Sequence, residues 1–201
     1  MKYIALEKAK KYAKDVIEGV IPAPKYVKLQ CKEFWEIAND KSEKFMIHTE
    51  SVRIIDGLTK LMIMPKGLRA GETIHAVLAP FQWFLIIGAL CVVWRKFPEK
   101  RKAETVILEI ARKNAKTFII GVIFIILFFL EPKFSKFYSV APDGKLSREV
   151  QEAIREIIRL SPALNSESPR HFKLMRDKIV CLTTDNEYIP LNYSNDKLDG
   201  K

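Results

Sequence analysis

The sequence predicts an α/β fold with a helical region ahead of a sheet-forming region. Apolar residues recur at spacings of three and four through much of residues 1–68, the signature of amphipathic helices. From residue 104 onward the pattern reads strand, loop, long helix, strand, helix and then short strands. Alternation of that kind favours a sheet with parallel neighbours. The two longest apolar runs, Ala76–Trp94 and Phe118–Leu130, suit a buried interior better than a bilayer.

The elements follow in chain order. Ala5, Ala9, Tyr12, Ala13, Val16 and Ile17 mark a first helix. Gly19, Pro22 and Pro24 stop it. A second helix has Tyr26, Val27, Leu29, Phe34, Trp35 and Ile37 as its apolar set. A third begins near Thr49, a candidate N-cap, and stops at Pro65–Gly67. In "KFYSVAP", Phe137, Tyr138 and Val140 form a short β-prone run ended by Pro142. The next segment, "DGKLSREVQEAIREIIRL", is an amphipathic helix with Leu146, Val150, Ala153, Ile154 and Ile157 on one face. Arg148–Glu152 and Glu152–Arg155 are charge pairs at helical spacing. Two short strands, "KIVCLTT" and "YIPLNYS", meet at a turn at Asp185–Asn186.

Ala76–Trp94 is uncharged for 19 residues and is followed by Arg95, Lys96, Lys100, Arg101 and Lys102. That length and that basic flank keep a two-span membrane protein with a basic loop open as an alternative. Against it, a helix starting at Pro80 reaches only about 22 Å, and one over Phe118–Leu130 about 20 Å. The hydrocarbon to be crossed is about 30 Å thick.

Charge and cysteine content narrow the classes. The 201-residue chain carries a net +10, and residues 51–116 hold 12 Lys/Arg against 5 Asp/Glu. A basic excess of this size points to polyanionic partners. Cys31, Cys91 and Cys181 are scattered without metal or redox spacing, and read as reduced core thiols. His48, His75 and His171 form no ligand pattern, which argues against a zinc site. The N-terminus has no secretory signal.

"ETVILEIARKNAKTFIIGVIFIILFFLE" carries the chemistry. A phosphate-binding loop needs a buried strand, a turn with inward-pointing N–H groups, a lysine, and a Ser or Thr opening a helix. Thr105–Ile110 is the expected strand, Arg112–Ala115 the turn, Lys116 and Thr117 the pair, and Phe118 onward the helix. The reading requires that strand. Ile110 and Ala115 stand where the G-x-x-x-x-G-K-[ST] pattern has glycine, so the strict motif is not met.

"EIARKNAKTF" resembles the Walker A segment of phage terminase large subunits, in the branch with R-K-N-G-K-[ST]. Other stretches resemble the same family in the same order. "YAKDVIEGVIPAPKYVKLQCKEF" resembles its N-terminal stretch, and "APFQWF" its Pro-aromatic-Gln opening of the ATPase domain. "FYSVAPDGKLSREVQEAIREIIRLSPAL" resembles its second strand and helix, and "NDKLDGK" the segment ahead of its Walker B strand.

The resemblance implies a P-loop NTPase of the ASCE type with an incomplete sheet. It implies a helical N-terminal region over 1–75 and the front part of the ATPase domain over 76–201. The chain is expected to stop before the Walker B strand, with the nuclease domain outside it and a sheet edge left open. The complete protein would be an ATP hydrolase and endonuclease that packages double-stranded DNA into the capsid. It would act in the host cytoplasm, with no membrane, as an oligomeric ring with a small subunit and the portal protein. This chain alone would be inactive.

ATP and Mg²⁺ are the implied ligands. Ala111, Arg112, Lys113, Asn114, Ala115, Lys116 and Thr117 would form the ATP loop. Lys116 would meet the β- and γ-phosphates, Thr117 the Mg²⁺, and Arg112 would steady γ-phosphate charge in the transition state. Gln82 would read adenine. Two plainer readings stay open: Gln82 as a polar residue at a helix start, and Arg112 and Lys113 as a solvated basic turn. Ala115 in place of glycine leaves open a weak site or a degenerate, inactive remnant.

Overall fold

The computed structural model describes residues 3–141 and 144–192, with backbone alone at 144–146 and 192. Helices α1 (Ile4–Ile17) and α2 (Lys25–Ala38) come first, then β1 (Phe45–Ile47), α3 (Thr49–Leu61), α4 (Ile74–Val77), α5 (Pro80–Leu90) and β2 (Val92–Trp94). They are followed by α6 (Lys116–Leu130), β3 (Lys136–Ala141), α7 (Gly144–Leu160), β4 (Phe172–Leu174), β5 (Ile179–Cys181) and β6 (Asn186–Asn192). The chain falls into two compact units, Met1–Gly57 with Val77–Glu109, and Leu58–Ala76 with Ile110–Lys201.

In the first unit α1 packs on α5 and α2. Its buried stripe is Ala5, Ala9, Ala13 and Val16, as the spacing predicts. Small side chains on that stripe leave room for Trp83, Ile86 and Ile87, all fully buried. Burying a side chain of that size contributes about 1.5–3 kcal/mol. Asp56 Oδ1 accepts from Ala5 N–H at 3.0 Å, which satisfies an otherwise orphaned donor at the start of α1. Gly19 ends the helix with φ +79°, a value glycine adopts without strain.

Helix α2 departs from its expected face. Cys31, Phe34 and Ile37 are buried, whereas Tyr26 and Leu29 are exposed. The N-cap of α3 is one residue earlier than Thr49: Val52 N–H bonds to His48 O, and His48 Nδ1 lies 2.8 Å from Ser51 Oγ. Strands β1 and β2 pair antiparallel, Met46 opposite Val93, a sheet the sequence does not announce.

The long apolar run divides into the last two residues of α4, the 11-residue α5 and β2. No helix among the described residues is long and apolar enough to cross a membrane, so the two-span alternative has no support.

The second unit is a four-stranded mixed sheet in the order β3-β6-β5-β4, with α6 and α7 packed against it. β3 and β6 are the expected parallel neighbours, with Tyr138 opposite Ile189, while β5 and β4 join antiparallel. Phe137 and Ser139 share one face of β3. Phe137 meets Phe128 of α6 edge to face, ring centroids 5.6 Å apart, and Ser139 Oγ lies 2.6 Å from Tyr188 Oη. Lys136, Tyr138 and Val140 alternate to the other face and are exposed.

Helix α6 buries Ile119, Val122, Ile125, Ile126 and Phe128, as expected of the second apolar run. It approaches α7 closely at Gly121, where a Cβ would lie 3.2 Å from Ala153 Cβ. At its far end the buried Asn186 clamps it. Asn186 Nδ2 donates to Phe128 O at 3.0 Å, and Asn186 Oδ1 accepts from Ser135 N–H at 2.8 Å. Of the face expected on α7, Ile154 and Ile157 are buried and Val150 and Ala153 half-buried, joined by Ser147, Gln151, Arg155 and Ile158. The side chain of Leu146, together with Pro142 and "NDKLDGK", lies outside the described residues.

Thr105–Ile110 is not the expected strand. It runs outside any sheet, with Ile107 86% exposed. A β-prone sequence becomes a strand only when a neighbour satisfies its N–H and C=O groups. Among the described residues no strand lies alongside it.

Candidate functional site

Residues 112–115 form the expected turn, closed by the Asn114 amide. Its Nδ2 donates to Ala111 O at 3.2 Å and to Arg112 O at 3.3 Å. Lys113 (φ 67°) and Ala115 (φ 56°) are both left-handed. Left-handed residues within a turn direct successive N–H groups toward one side, forming an anion-binding concavity. Glycine adopts that conformation freely, but an alanine methyl crowds its own carbonyl there. Ala115 therefore holds, at a steric cost, backbone angles that glycine adopts freely.

Ala115 is also the N-cap of α6, and no side chain caps that helix. Its first helical bond runs from Ile119 N–H to Ala115 O at 3.0 Å. The N–H groups of Lys116, Thr117 and Phe118 are thus left without a helical acceptor, at the positive end of the helix dipole. Arg112, Lys113 and Lys116 are exposed around them. Among the described residues, none of these three side chains has an ion-pair partner. Thr117 is half-buried, and its hydroxyl has no hydrogen-bond partner among the described residues.

These groups open onto a groove of ≈ 810 Å³, within the usual size range of small-ligand sites. Arg112, Lys113, Ala115, Lys116 and Thr117 line it. Ala111 and Asn114 shape the turn without lining the groove. Helix α7 contributes Arg148, Glu149, Glu152 and Glu156, and the segment after α3 contributes Lys66. Of the three glutamates, the sequence singled out only Glu152, through its charge pairs with Arg148 and Arg155. Nothing in the sequence flagged Lys66, which lies in what reads as helical lead-in.

Gln82 belongs to the first unit. It is 8% exposed, and its Oε1 accepts from Ala79 N–H at 2.9 Å, the bond of a polar residue at a helix start. The carboxamide oxygen is thus engaged within α5, and its Nε2 donors remain.

The chemistry available at the loop is anion binding. Free N–H groups, a helix dipole and three cations suit phosphate. A free hydroxyl one residue past the lysine suits a hard cation carried with that phosphate.

Comparison with known proteins agrees with that chemistry. The family model described as "Terminase large subunit, ATPase domain" matches residues 80–201, more than half of the chain. The fold is similar to the crystal structure of the HK97 bacteriophage large terminase, with a TM-score of 0.56 and 24% identity. That likeness covers 73% of this chain and 28% of the other, so the chain spans little more than a quarter of that structure's length. Comparison with curated proteins gives no match. The family match rests on the whole of residues 80–201 and stands although Thr105–Ile110 is not a strand; the phosphate-loop reading loses the strand that it required. The chain belongs to the terminase large subunit family, of which it carries ATPase-domain sequence.

Proposed function

We propose that the loop 111–117 and the start of α6 bind the phosphates of MgATP, and that the complete protein uses ATP hydrolysis to drive double-stranded phage DNA into a capsid. One observation carries the reading: an uncapped helix N-terminus, approached through a left-handed turn and ringed by Arg112, Lys113 and Lys116. In this proposal Lys116 neutralises the β- and γ-phosphates, and the N–H groups of residues 116–118 donate to phosphate oxygens. Thr117 is the hydroxyl ligand for Mg²⁺, which supplies charge neutralisation when bound. Arg112 steadies charge that grows on the γ-phosphate in the transition state. Gln82 reads adenine through its Nε2 donors.

The family reading also assigns residues 1–75 to a helical N-terminal region and 76–201 to the front of the ATPase domain. It assigns a ring assembly, the small subunit, the portal protein, a host-cytoplasmic location and an endonuclease activity to the complete protein.

A second reading, a degenerate loop that binds nothing, is favoured by the left-handed Ala115. Calorimetric titration with MgATP separates the two. Measurable binding, lost in Lys116→Ala with an unchanged melting temperature, supports the ATP site. No binding by the chain or by Ala115→Gly supports the remnant.

A further inference from the structure

The geometry points to Lys66 as a second phosphate-binding cation of the same groove, positioned by Glu156. This deepens the ATP-site reading and rests on it. The segment that carries Lys66 is firmly placed. Ile63 bridges Thr73 antiparallel, and Met64 N–H donates to Glu72 O at 2.8 Å, making a short hairpin. Ile63 N–H also donates to Ser161 Oγ at 2.9 Å, and Ser161 is fully buried at the end of α7. The hairpin is therefore fastened to the helix that lines the groove.

From that hairpin Lys66 reaches Glu156, with Nζ 2.9 Å from Oε2 and 3.2 Å from Oε1. An ammonium has three donors, and one carboxylate engages at most two of them in this arrangement. An N–H donor remains for an anion in the groove that Lys116 and Thr117 also line. The two side chains are 75% and 37% exposed, so the pair adds little to folding stability. Its geometry aims the lysine.

This is a binding role outside the Walker A loop, supplied by sequence that reads as lead-in. It also explains how a wall bearing Glu149, Glu152 and Glu156 tolerates a polyphosphate. Lys66 offsets the carboxylate beside it and leaves an N–H donor for a phosphate oxygen.

The test is calorimetric titration of the full chain, and of its Ala115→Gly variant, with MgATP and with magnesium tripolyphosphate, which carries no base. Lys66→Ala is expected to weaken both by about tenfold, the scale of one charge-assisted hydrogen bond, with unchanged melting. Lys66→Arg is expected to keep most of the affinity. The Lys66→Ala/Glu156→Gln double variant is expected to recover part of the loss, by removing the unpaired carboxylate, and to stay weaker than the wild type.

If the double variant regains wild-type affinity, Lys66 only neutralises Glu156, and the proposal fails. It fails also if Lys66→Ala weakens MgATP but leaves tripolyphosphate untouched, since the contact is then to the nucleoside. Binding abolished by Lys116→Ala but indifferent to Lys66→Ala overturns this inference alone. No binding by the chain or by Ala115→Gly overturns the ATP site as well.

Discussion

Replacing Ala115 by glycine tests the loop's energetics directly. Ala115 sits at φ 56°, ψ 34°. Holding an L-residue there costs about 1–2 kcal/mol relative to the right-handed region. Glycine removes that strain but adds unfolded-state entropy that costs about 0.4–1 kcal/mol. The net effect on global stability is therefore small, about +0.5 kcal/mol, or roughly 1–2 °C in melting temperature. Binding compares two folded states, so the unfolded-state cost drops out of it. If the alanine loop spends part of its time outside the left-handed turn, glycine recovers that fraction. About 1 kcal/mol of relief is a roughly fivefold gain in MgATP affinity. If the loop never leaves the turn, the same strain is relieved in the folded protein and appears in the melting temperature. Ala115→Val is the control, because a β-branched residue at positive φ is a genuine outlier and should lower both quantities. Parallel calorimetry and thermal melts of the three proteins measure this. Ala115→Gly lowering both affinity and stability, or Ala115→Val matching the parent, would refute the strain argument.

Further outcomes follow from the packing. Gly88→Ala on α5 should stabilise by about 0.5–1 kcal/mol from helix propensity, since its nearest neighbour, Phe34 Cδ2, lies 3.9 Å from the new Cβ. Gly121→Ala should lose that gain and more, because its Cβ would press on Ala153 at 3.2 Å; equal melting temperatures for the two variants would contradict the close packing of α6 on α7. Asn186→Ala leaves Ser135 N–H without its acceptor in a buried site and should cost about 2–4 kcal/mol in denaturant unfolding. Burial pushes the Cys31 thiol up to about 11 and the Cys91 thiol up to about 12. Both folded values lie above the unfolded one, so their contribution to stability is complete below the ordinary thiol range and lost as pH rises toward 11–12. A urea midpoint that falls between pH 8 and pH 10.5, and falls less in the Cys31→Ala/Cys91→Ala variant, is the expected result.

Strong periodicity and turn chemistry made much of the second unit readable in advance. The 13-residue apolar run became α6, and the alternating run at 136–141 became β3. The Asp185–Asn186 turn formed with Asp185 at φ 58°, although its further task of clamping α6 through Asn186 has no local signal. Tyr26 and Leu29 illustrate the limit of counting apolar residues on α2. The stripe Cys31, Phe34, Ile37 won the interior, because a 14-residue helix buries only one stripe and its first turn lies off that contact. Thr105–Ile110 shows why composition alone does not make a strand, since pairing is a property of two segments. Strands β1, β2 and β4 are three residues each, too short for alternation to register, whereas the equally short β5 was legible from its β-branched run ahead of the Asp185–Asn186 turn. At the site, the loop residues were legible because turn, lysine and hydroxyl are contiguous. Lys66 was not, because only the folding of the hairpin onto α7 brings it to the groove.

Helix α6 has 15 residues, hence a length of about 22 Å. One end exposes the N–H groups proposed to hold phosphate; the other is locked by Asn186 to the β5–β6 turn. A buried, tightly packed rod of this kind has little slack along its axis. The helix therefore ties the proposed phosphate end at residues 116–118 to the turn between the two inner strands of the sheet.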